Sequence, residues 1–375
     1  MEIIRDKVKI EYFDYALLNE YFSGMKHCVF DIETLGLNSS VSPAVLFGFL
    51  EPATDGTAEI VQYFLNDIPE ERDALELIAD KLNEYDYIIT YNGKHFDIPY
   101  VERRYRLLHH SELKLRPYNL DLYLILYGHS ALKDKLTGLK QKNIERYMGM
   151  GGDRDDEISG KESVELYYHY LLEGNPVIKE KVKSEILLHN HDDVLQLYKI
   201  LPVIKQADIH KAINKLGFPV RMSSGSSGSG SASSCLSMFS GGSLTLLGGD
   251  NVFANDVNLP DMNVAEIKLN SKQLLISGKY LGDSESYVGY SSFERPYEVV
   301  LTPDNRFEVK IPVQKEKSSV FVNLNDYFCD SSIFSGYGGY VNDYLILSEN
   351  GNTNYRELNA FAKQLLLTAK KAAAY

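Results

Sequence analysis

Apolar and polar positions change rhythm several times along the chain. Residues 1–25 read as a short lead-in with some helical spacing. Three short apolar runs follow, "HCVFD", "AVLFGFL" and "AEIVQYFL", rich in β-branched and aromatic residues, and they predict strands. "DIPEERDALELIADKLNEY" has helical spacing, with acidic residues near its start, where the helix dipole favours them. "DYIITY" predicts another buried strand, and "HFDIPYVERRYRLL" enters a helix through a proline, which suits a first turn. "YNLDLYLILY" predicts one more passage from strand to helix. Helical spacing continues through "LTGLKQKNIERYMGM", "SVELYYHYLLEG" and "VIKEKVKSEILLHNHDDVLQLYKILPVI". Three strands, a helix, a strand and then mostly helices predict an α/β or α+β domain over residues 1–221.

The tract "SSGSSGSGSASS", residues 223–234, has the composition of flexible coil, and the linker is expected over 222–250. Beyond it, "VAEIKLN", "QLLISGKYL", "YEVVLT", "FEVKIPV" and "SSVFVNL" alternate with turn signals such as "TPDNR". Residues 251–375 are therefore expected to form an antiparallel, β-rich domain, a sandwich being one arrangement, closed by the amphipathic helix "NYRELNAFAKQLLLTAKKAAAY".

A hydrophobic share of 44% and a charged share of 24% suit a soluble globular protein. No segment is apolar enough to span a bilayer, and the first residues lack the apolar core of a signal peptide. The three cysteines, Cys28, Cys235 and Cys329, follow no metal pattern and are expected as reduced thiols in a cytoplasmic protein. The net charge of −13 argues against a broad nucleic-acid-binding coat. Lys94–Arg146 runs against that balance, with basic residues outnumbering acidic ones, among them "RRYR" at 103–106 and Lys133, Lys135, Lys140 and Lys142. Such a window is either a solvated helix face or a surface for a phosphate backbone.

The chemistry begins at "HCVFDIETLGL". Asp31 and Glu33 are two apart on a predicted strand, so they share a face. Two adjacent carboxylates repel unless a cation lies between them, and hard oxygen ligands suit Mg²⁺ or Mn²⁺. A bare D-x-E is common, and alone it reads as a strand-end pair facing solvent. A second element, "YNGKHFDIPYVERR", places Asp97 just before a helix, as an N-cap, a metal ligand or both, after an Asn92–Gly93 turn. In a third, "LLHNHDDVLQLYKI", His189 and Asp193 are four apart and stack on one helix face. His189 taken alone is an ordinary polar helix position. The letters "HNH" lack the spacing and hairpin of HNH nucleases.

In order and context the three elements resemble the DEDD exonucleases, the DnaQ-like branch of the ribonuclease H-like superfamily. "FDIETLGL" is similar to D-x-E-T-x-G-L. "NGKHFDIPY" is similar to the N-x(4)-D element of family B polymerase exonuclease domains, and "HNHDDV" to Y-x(3)-D with His189 in place of tyrosine. "YNLDLYLILYG" and "HNHDDVLQL" sharpen this to the YprB-type domain of bacteria, where histidine is expected at that position. The resemblance covers about 25–205. It implies an α/β ribonuclease H-like fold, a mixed central sheet flanked by helices, and 3′-to-5′ hydrolysis of single-stranded DNA or RNA. It further implies two divalent ions, Mg²⁺ or Mn²⁺, held by Asp31, Glu33, Asp97 and Asp193, with Asp31 bridging. His189 would orient or deprotonate the attacking water; Thr34, Gly36, Leu37 and Asn92 would contact the substrate. Asp121 is a weaker candidate, as readily a structural acceptor.

Two other readings compete. The chain would be a nucleic-acid-binding module without catalysis, or an interaction protein whose main function lies in the C-terminal β domain, through a protein partner. The Tyr- and Gly-rich stretch "NDYFCDSSIFSGYGGYVNDYLIL" in that domain reads mostly as core packing.

Overall fold

The computed structural model describes residues 1–150, 160–221, 261–282, 287–290 and 298–371. The Gly/Ser tract and the "CLSMFSGGSLTLLGG" stretch after it lie outside these residues. Two compact units divide the chain, Met1–Ile209 and His210–Tyr375.

The first unit is built on β1 (Glu2–Lys9), α1 (Ala16–Phe22), β2 (His27–Thr34), β3 (Ala44–Pro52), β4 (Thr57–Phe64), α2 (Glu71–Asn83), β5 (Tyr87–Thr90), α3 (Asp97–His109) and β6 (Tyr118–Asp121). It continues through α4 (Leu122–His129), α5 (Leu132–Lys135), α6 (Gln141–Tyr147), α7 (Gly160–Leu172) and α8 (Pro176–Lys199). Its six-stranded sheet has the order β1-β4-β3-β2-β5-β6. The pairs β1–β4, β4–β3 and β3–β2 are antiparallel, and β2–β5 and β5–β6 are parallel. This is the mixed sheet with flanking helices expected of a ribonuclease H-like fold.

Alternation along β2 decides what each face does. Cys28, Phe30 and Ile32 point to one side, into a core shared with Phe47, Phe49, Leu75, Ile78 and Val101, the last three from α2 and α3. Val29, Asp31 and Glu33 point to the other side, where Leu46 and Phe64 pack against Tyr167 of α7 and Val182 and Ile186 of α8. The buried stripe of α8 runs Val182, Ile186 and then turns polar at His189 and Asn190, both buried.

Residues 2–9, expected as part of a helical lead-in, form β1 instead. Its alternating charged residues sit on an edge strand paired along its length with β4, where exposed Arg5 and Lys7 discourage pairing with further chains.

The second unit opens with α9 (Ile209–Leu216), which begins at the unit boundary, and β7 (Phe218–Val220). It continues with β8 (Met262–Leu269), β9 (Gln273–Tyr280), β10 (Tyr287–Tyr290), β11 (Glu298–Leu301) and β12 (Arg306–Pro312). Then come β13 (Gln314–Glu316), β14 (Ser319–Asn323), β15 (Tyr340–Val341), β16 (Tyr344–Glu349), β17 (Asn352–Thr353) and α10 (Tyr355–Lys371). One antiparallel sheet has the order β10-β11-β12-β9-β8-β7, the other β13-β14-β16-β15, with β17 on β16. Because Phe218–Val220 pairs with Met262–Val264, the segment just before residue 221 belongs to this unit. The division at 209/210 thus falls earlier than the sequence pattern suggests. Tyr327 and Phe328 pack edge-on against Phe361 of α10, so this part of the Tyr-rich stretch is core. Cys28 is buried and Cys329 exposed. Among the described residues, no helix is long and apolar enough to cross a membrane.

Candidate metal centre

Asp31 and Glu33 project from β2 toward α8. Opposite Glu33, His189 Nε2 lies 3.6 Å from Glu33 Oε1 and 3.7 Å from Asp193 Oδ2, its neighbour one helical turn on. One ligand atom from each of Glu33, His189 and Asp193 falls within 4.8 Å of the other two. Ligands about 2.1 Å from a shared octahedral cation stand about 3.0 Å apart when adjacent and 4.2 Å when opposed. The observed spacing, too long for direct hydrogen bonds, is near what a cation between them requires. Two hard carboxylates and one imidazole form a donor set that such an ion accepts. Ser163 of α7, itself buried, donates to Glu33 Oε2 at 3.1 Å and fixes that carboxylate's second oxygen.

Asp31 and Asp97 stand outside that tight group but feel it. Loss of solvent, together with the Asp97, Asp193 and Glu33 carboxylates, raises the Asp31 pKa well above the usual carboxylate range. Desolvation likewise pushes Asp97 up to about 7, against the pull of backbone N–H groups including that of Ile32. Carboxylates collected so that their neighbours raise the proton affinity of Asp31 and Asp97 define a place where added positive charge lowers the free energy.

Asp97 is the first residue of α3 and not its cap. Phe96 occupies the cap position, and no side chain caps that end. The helix begins one residue earlier than expected, which turns the Asp97 carboxyl inward. Asp121 proves a structural acceptor. Its carboxylate takes the backbone N–H groups of Asn92 and Lys94, each at 3.0 Å, and of Leu124 at 3.2 Å, so it holds the Asn92–Gly93 turn to the start of α4. Asn92 itself adopts φ 64° in that turn, half-buried.

Thr34, Gly36 and Leu37 form the start of the loop after β2. Thr34 Oγ1 donates to the Gly36 carbonyl at 3.1 Å, and the Tyr100 hydroxyl donates to the Gly36 or Ser42 carbonyl, both at 2.8 Å. A Cβ on Gly36, whose φ is +156°, would come within 2.7 Å of Ser42 Oγ. The glycine therefore serves closure of the loop, beyond any role toward a substrate. Leu37 is 89% exposed at the loop tip.

Three residues around Asp31 escape sequence reasoning, as does Ser163 beside Glu33. Asp31 lies opposite Gly48, which lies opposite Gln62, a row across β2, β3 and β4. Fully buried Asn190 enters this row from α8, donating to Asp31 Oδ2 at 3.0 Å and accepting from Gln62 Nε2 at 3.0 Å. Gln62 also reaches the Leu187 carbonyl at 2.8 Å. The one available signal was a glutamine in the otherwise apolar run "AEIVQYFL", since buried polar side chains need partners.

Residues 28–204 match the family model described as the RNase_H superfamily. Sheet order, flanking helices and this match together define a ribonuclease H-like domain. Within that class the domain is similar to one in YprB. The uncharacterized protein YprB of Bacillus subtilis (strain 168) is 28% identical over 175 residues, 46% of this chain and 40% of that protein. The chain therefore spans less than half the length of this curated relative. Among solved structures, the chain is similar to the family B DNA polymerase from the hyperthermophilic archaeon Pyrobaculum calidifontis, with 19% identity and a TM-score of 0.37 over 51% of this chain and 28% of that one. It is also similar to E. coli exonuclease I in complex with a dT13 oligonucleotide, with 11% identity and a TM-score of 0.26 over 68% of this chain and 55% of that one.

Proposed function

We propose that the protein is a metal-dependent nuclease of DEDD type that hydrolyses phosphodiester bonds of single-stranded nucleic acid from the 3′ end. The observation that carries this reading is the convergence of Glu33, His189 and Asp193 within 4.8 Å, from a strand and a helix far apart in sequence. Desolvation and the Asp97, Asp193 and Glu33 carboxylates raise the proton affinity of Asp31, and desolvation with Asp121 and Glu33 raises that of Asp97.

Asp31, Glu33, Asp97 and Asp193 would hold two divalent ions, Mg²⁺ or Mn²⁺, which supply charge neutralisation at the scissile phosphate and activation of water. Buried Glu33 is held through Ser163, and Asp31 is oriented through Asn190. His189, between Glu33 and Asp193, is placed to orient a water or take its proton, and an imidazole suits that task near neutral pH. Asn92 and the exposed Leu37 would contact the terminal nucleotide.

Purified protein with Mn²⁺ or Mg²⁺ is offered DNA and RNA oligomers labelled at either end. Stepwise loss of nucleotides from the 3′ end, absent in Asp31→Ala, is the expected result. Equal cleavage by wild type and variant would end the proposal. A binder without catalysis would bind the oligomers and leave them whole.

A further inference from the structure

The basic window that the sequence singles out divides in the structure. Arg104 is consumed in a buried pair with Glu71, its Nε 2.8 Å from Oε1, and Arg106 pairs with Glu112 at 3.0 Å. Lys133, Lys135 and Lys140, in contrast, are exposed. Lys133 lies beside the last ring of a row of tyrosines, and Lys140 follows Leu139, whose carbonyl holds the first. Tyr91, just after β5, meets Tyr123 edge-on at 5.9 Å, and Tyr123 stacks on Tyr127 at 5.7 Å with 21° between planes. Tyr123 and Tyr127 are one turn apart and share a face of α4. Tyr127 is 54% exposed, with the Lys133 ammonium 5.6 Å from its ring centre.

This row is anchored next to the carboxylates. The Tyr91 hydroxyl donates to the Leu139 carbonyl, and Gln141, two residues on, donates through Nε2 to the Asp193 carbonyl at 3.0 Å. Two residues of chain span at most about 7 Å. One short segment therefore touches both the first ring of the row and the helix turn that carries a candidate metal ligand. Parallel pairing of Val29 with Ile89 also sets the end of β5, which Tyr91 follows directly, beside the part of β2 that leads into Asp31.

We propose that Tyr91, Tyr123 and Tyr127, rimmed by Lys133 and Lys140, form a nucleobase-stacking track for single-stranded nucleic acid leading to the carboxylate cluster. This deepens the nuclease reading and rests on it. A half-exposed ring beside exposed ammonium groups offers a base a π face and its phosphate a cation in one place, and every base has such a face. Spacing of 5.7 Å leaves no room for a base between Tyr123 and Tyr127, so the base takes the open side of Tyr127 and Lys133 moves from ring to phosphate. A duplex, with its bases already stacked, cannot use the track.

Binding is measured by fluorescence anisotropy with Mg²⁺ in an Asp31→Ala background, which separates it from cleavage. Probes are single-stranded DNA and RNA of one sequence, the same strand with abasic sites, and a duplex. Tyr127→Ala is expected to weaken binding to the intact strands on the order of tenfold and Tyr127→Phe little. The abasic strand should bind equally to the parent and to Tyr127→Ala. If Tyr127→Ala binds the intact strands as well as its parent does, or the duplex is preferred, the track is overturned while the nuclease reading stands. If no strand is bound and the wild type cuts none, the nuclease reading falls and the track with it. Tyr127 is at the surface, so its replacement leaves folding intact, which circular dichroism checks.

Discussion

The side-chain amide of Asn190 donates to Asp31 Oδ2 at 3.0 Å, from the helix turn that also carries His189. This contact exists because Gly48, opposite Asp31 in β3, has no side chain: a Cβ there would stand 2.2 Å from Asn190 Oδ1. Gly48→Ala should therefore expel the amide, leave Gln62 with only the Leu187 carbonyl of its two acceptors and cost about 1–3 kcal/mol in stability from overpacking. The variant is expected to unfold at a lower temperature and, where still folded, to bind Mn²⁺ more weakly in a calorimetric titration. A variant with unchanged melting and unchanged Mn²⁺ uptake would show that the row across β2, β3 and β4 does not set Asp31.

Protonation of the acidic cluster predicts how the metal-free protein responds to pH. Asp97, pushed up to about 7, and Asp31, raised well above the carboxylate range, both hold protons more tightly folded than unfolded. Between the ordinary carboxylate pKa and about 7 the folded state binds more protons, so stability falls as pH rises through that window. In chelator, the melting temperature should drop from pH 5 toward pH 8. Saturating Mn²⁺ should remove most of that drop, because the ions take the place of the protons. A chelated protein whose melting temperature climbs over the same range contradicts the assignment.

The parts of this site that were legible in the sequence share one property, which is that local geometry determines them. Asp31 and Glu33 share a face because strands repeat every two residues, and His189 and Asp193 meet because helices repeat near four. Asp97 falls at the expected helix but inside its first turn, because helix starts are set by backbone angles that Phe96 carries and composition does not reveal. Asn190, Gly48 and Gln62 acquire meaning only when three strands are in register and α8 crosses them, a relationship with no local signature. Edge strand β1 lacks a sequence signature for a related reason. With one side unpaired, it needs no apolar alternation, so "EIIRDKVK" reads as polar lead-in until β4 lies beside it.

Arginines and lysines of the basic window should separate by salt and by stability. Arg104 and Glu71, both buried, tie α3 to α2, Arg104 also reaches the Ser39 carbonyl, and Glu71 accepts the Ala44 amide, which steadies the loop after β2. Arg104→Ala leaves a buried carboxylate unpaired and should cost about 3–5 kcal/mol, with little change in the salt dependence of binding. Lys133→Ala with Lys140→Ala should do the reverse. It should leave the melting temperature alone and reduce the slope of log K against log salt, by about 0.7 for each lost phosphate contact on a single strand. A double lysine variant with an unchanged slope would remove those residues from the binding surface.

Two roles for His189 remain separable by experiment, because its Nε2 is nearly equidistant from Glu33 Oε1 at 3.6 Å and Asp193 Oδ2 at 3.7 Å. A ligand in that position and a group that handles water would occupy the same space. The four carboxylates already supply hard oxygen ligands, and an imidazole adds what they lack, a proton acceptor that works near neutral pH. His189→Ala should therefore lower kcat by about 10²- to 10⁴-fold while Mn²⁺ affinity stays within a few-fold of wild type. His189→Tyr should recover part of the loss, since a phenol can hold a water in place without accepting its proton at neutral pH. Glu33→Gln provides the contrast, because loss of a carboxylate ligand should weaken Mn²⁺ binding directly. If His189→Ala loses as much Mn²⁺ affinity as Glu33→Gln does, the imidazole is a ligand, and the proton must be taken by another group.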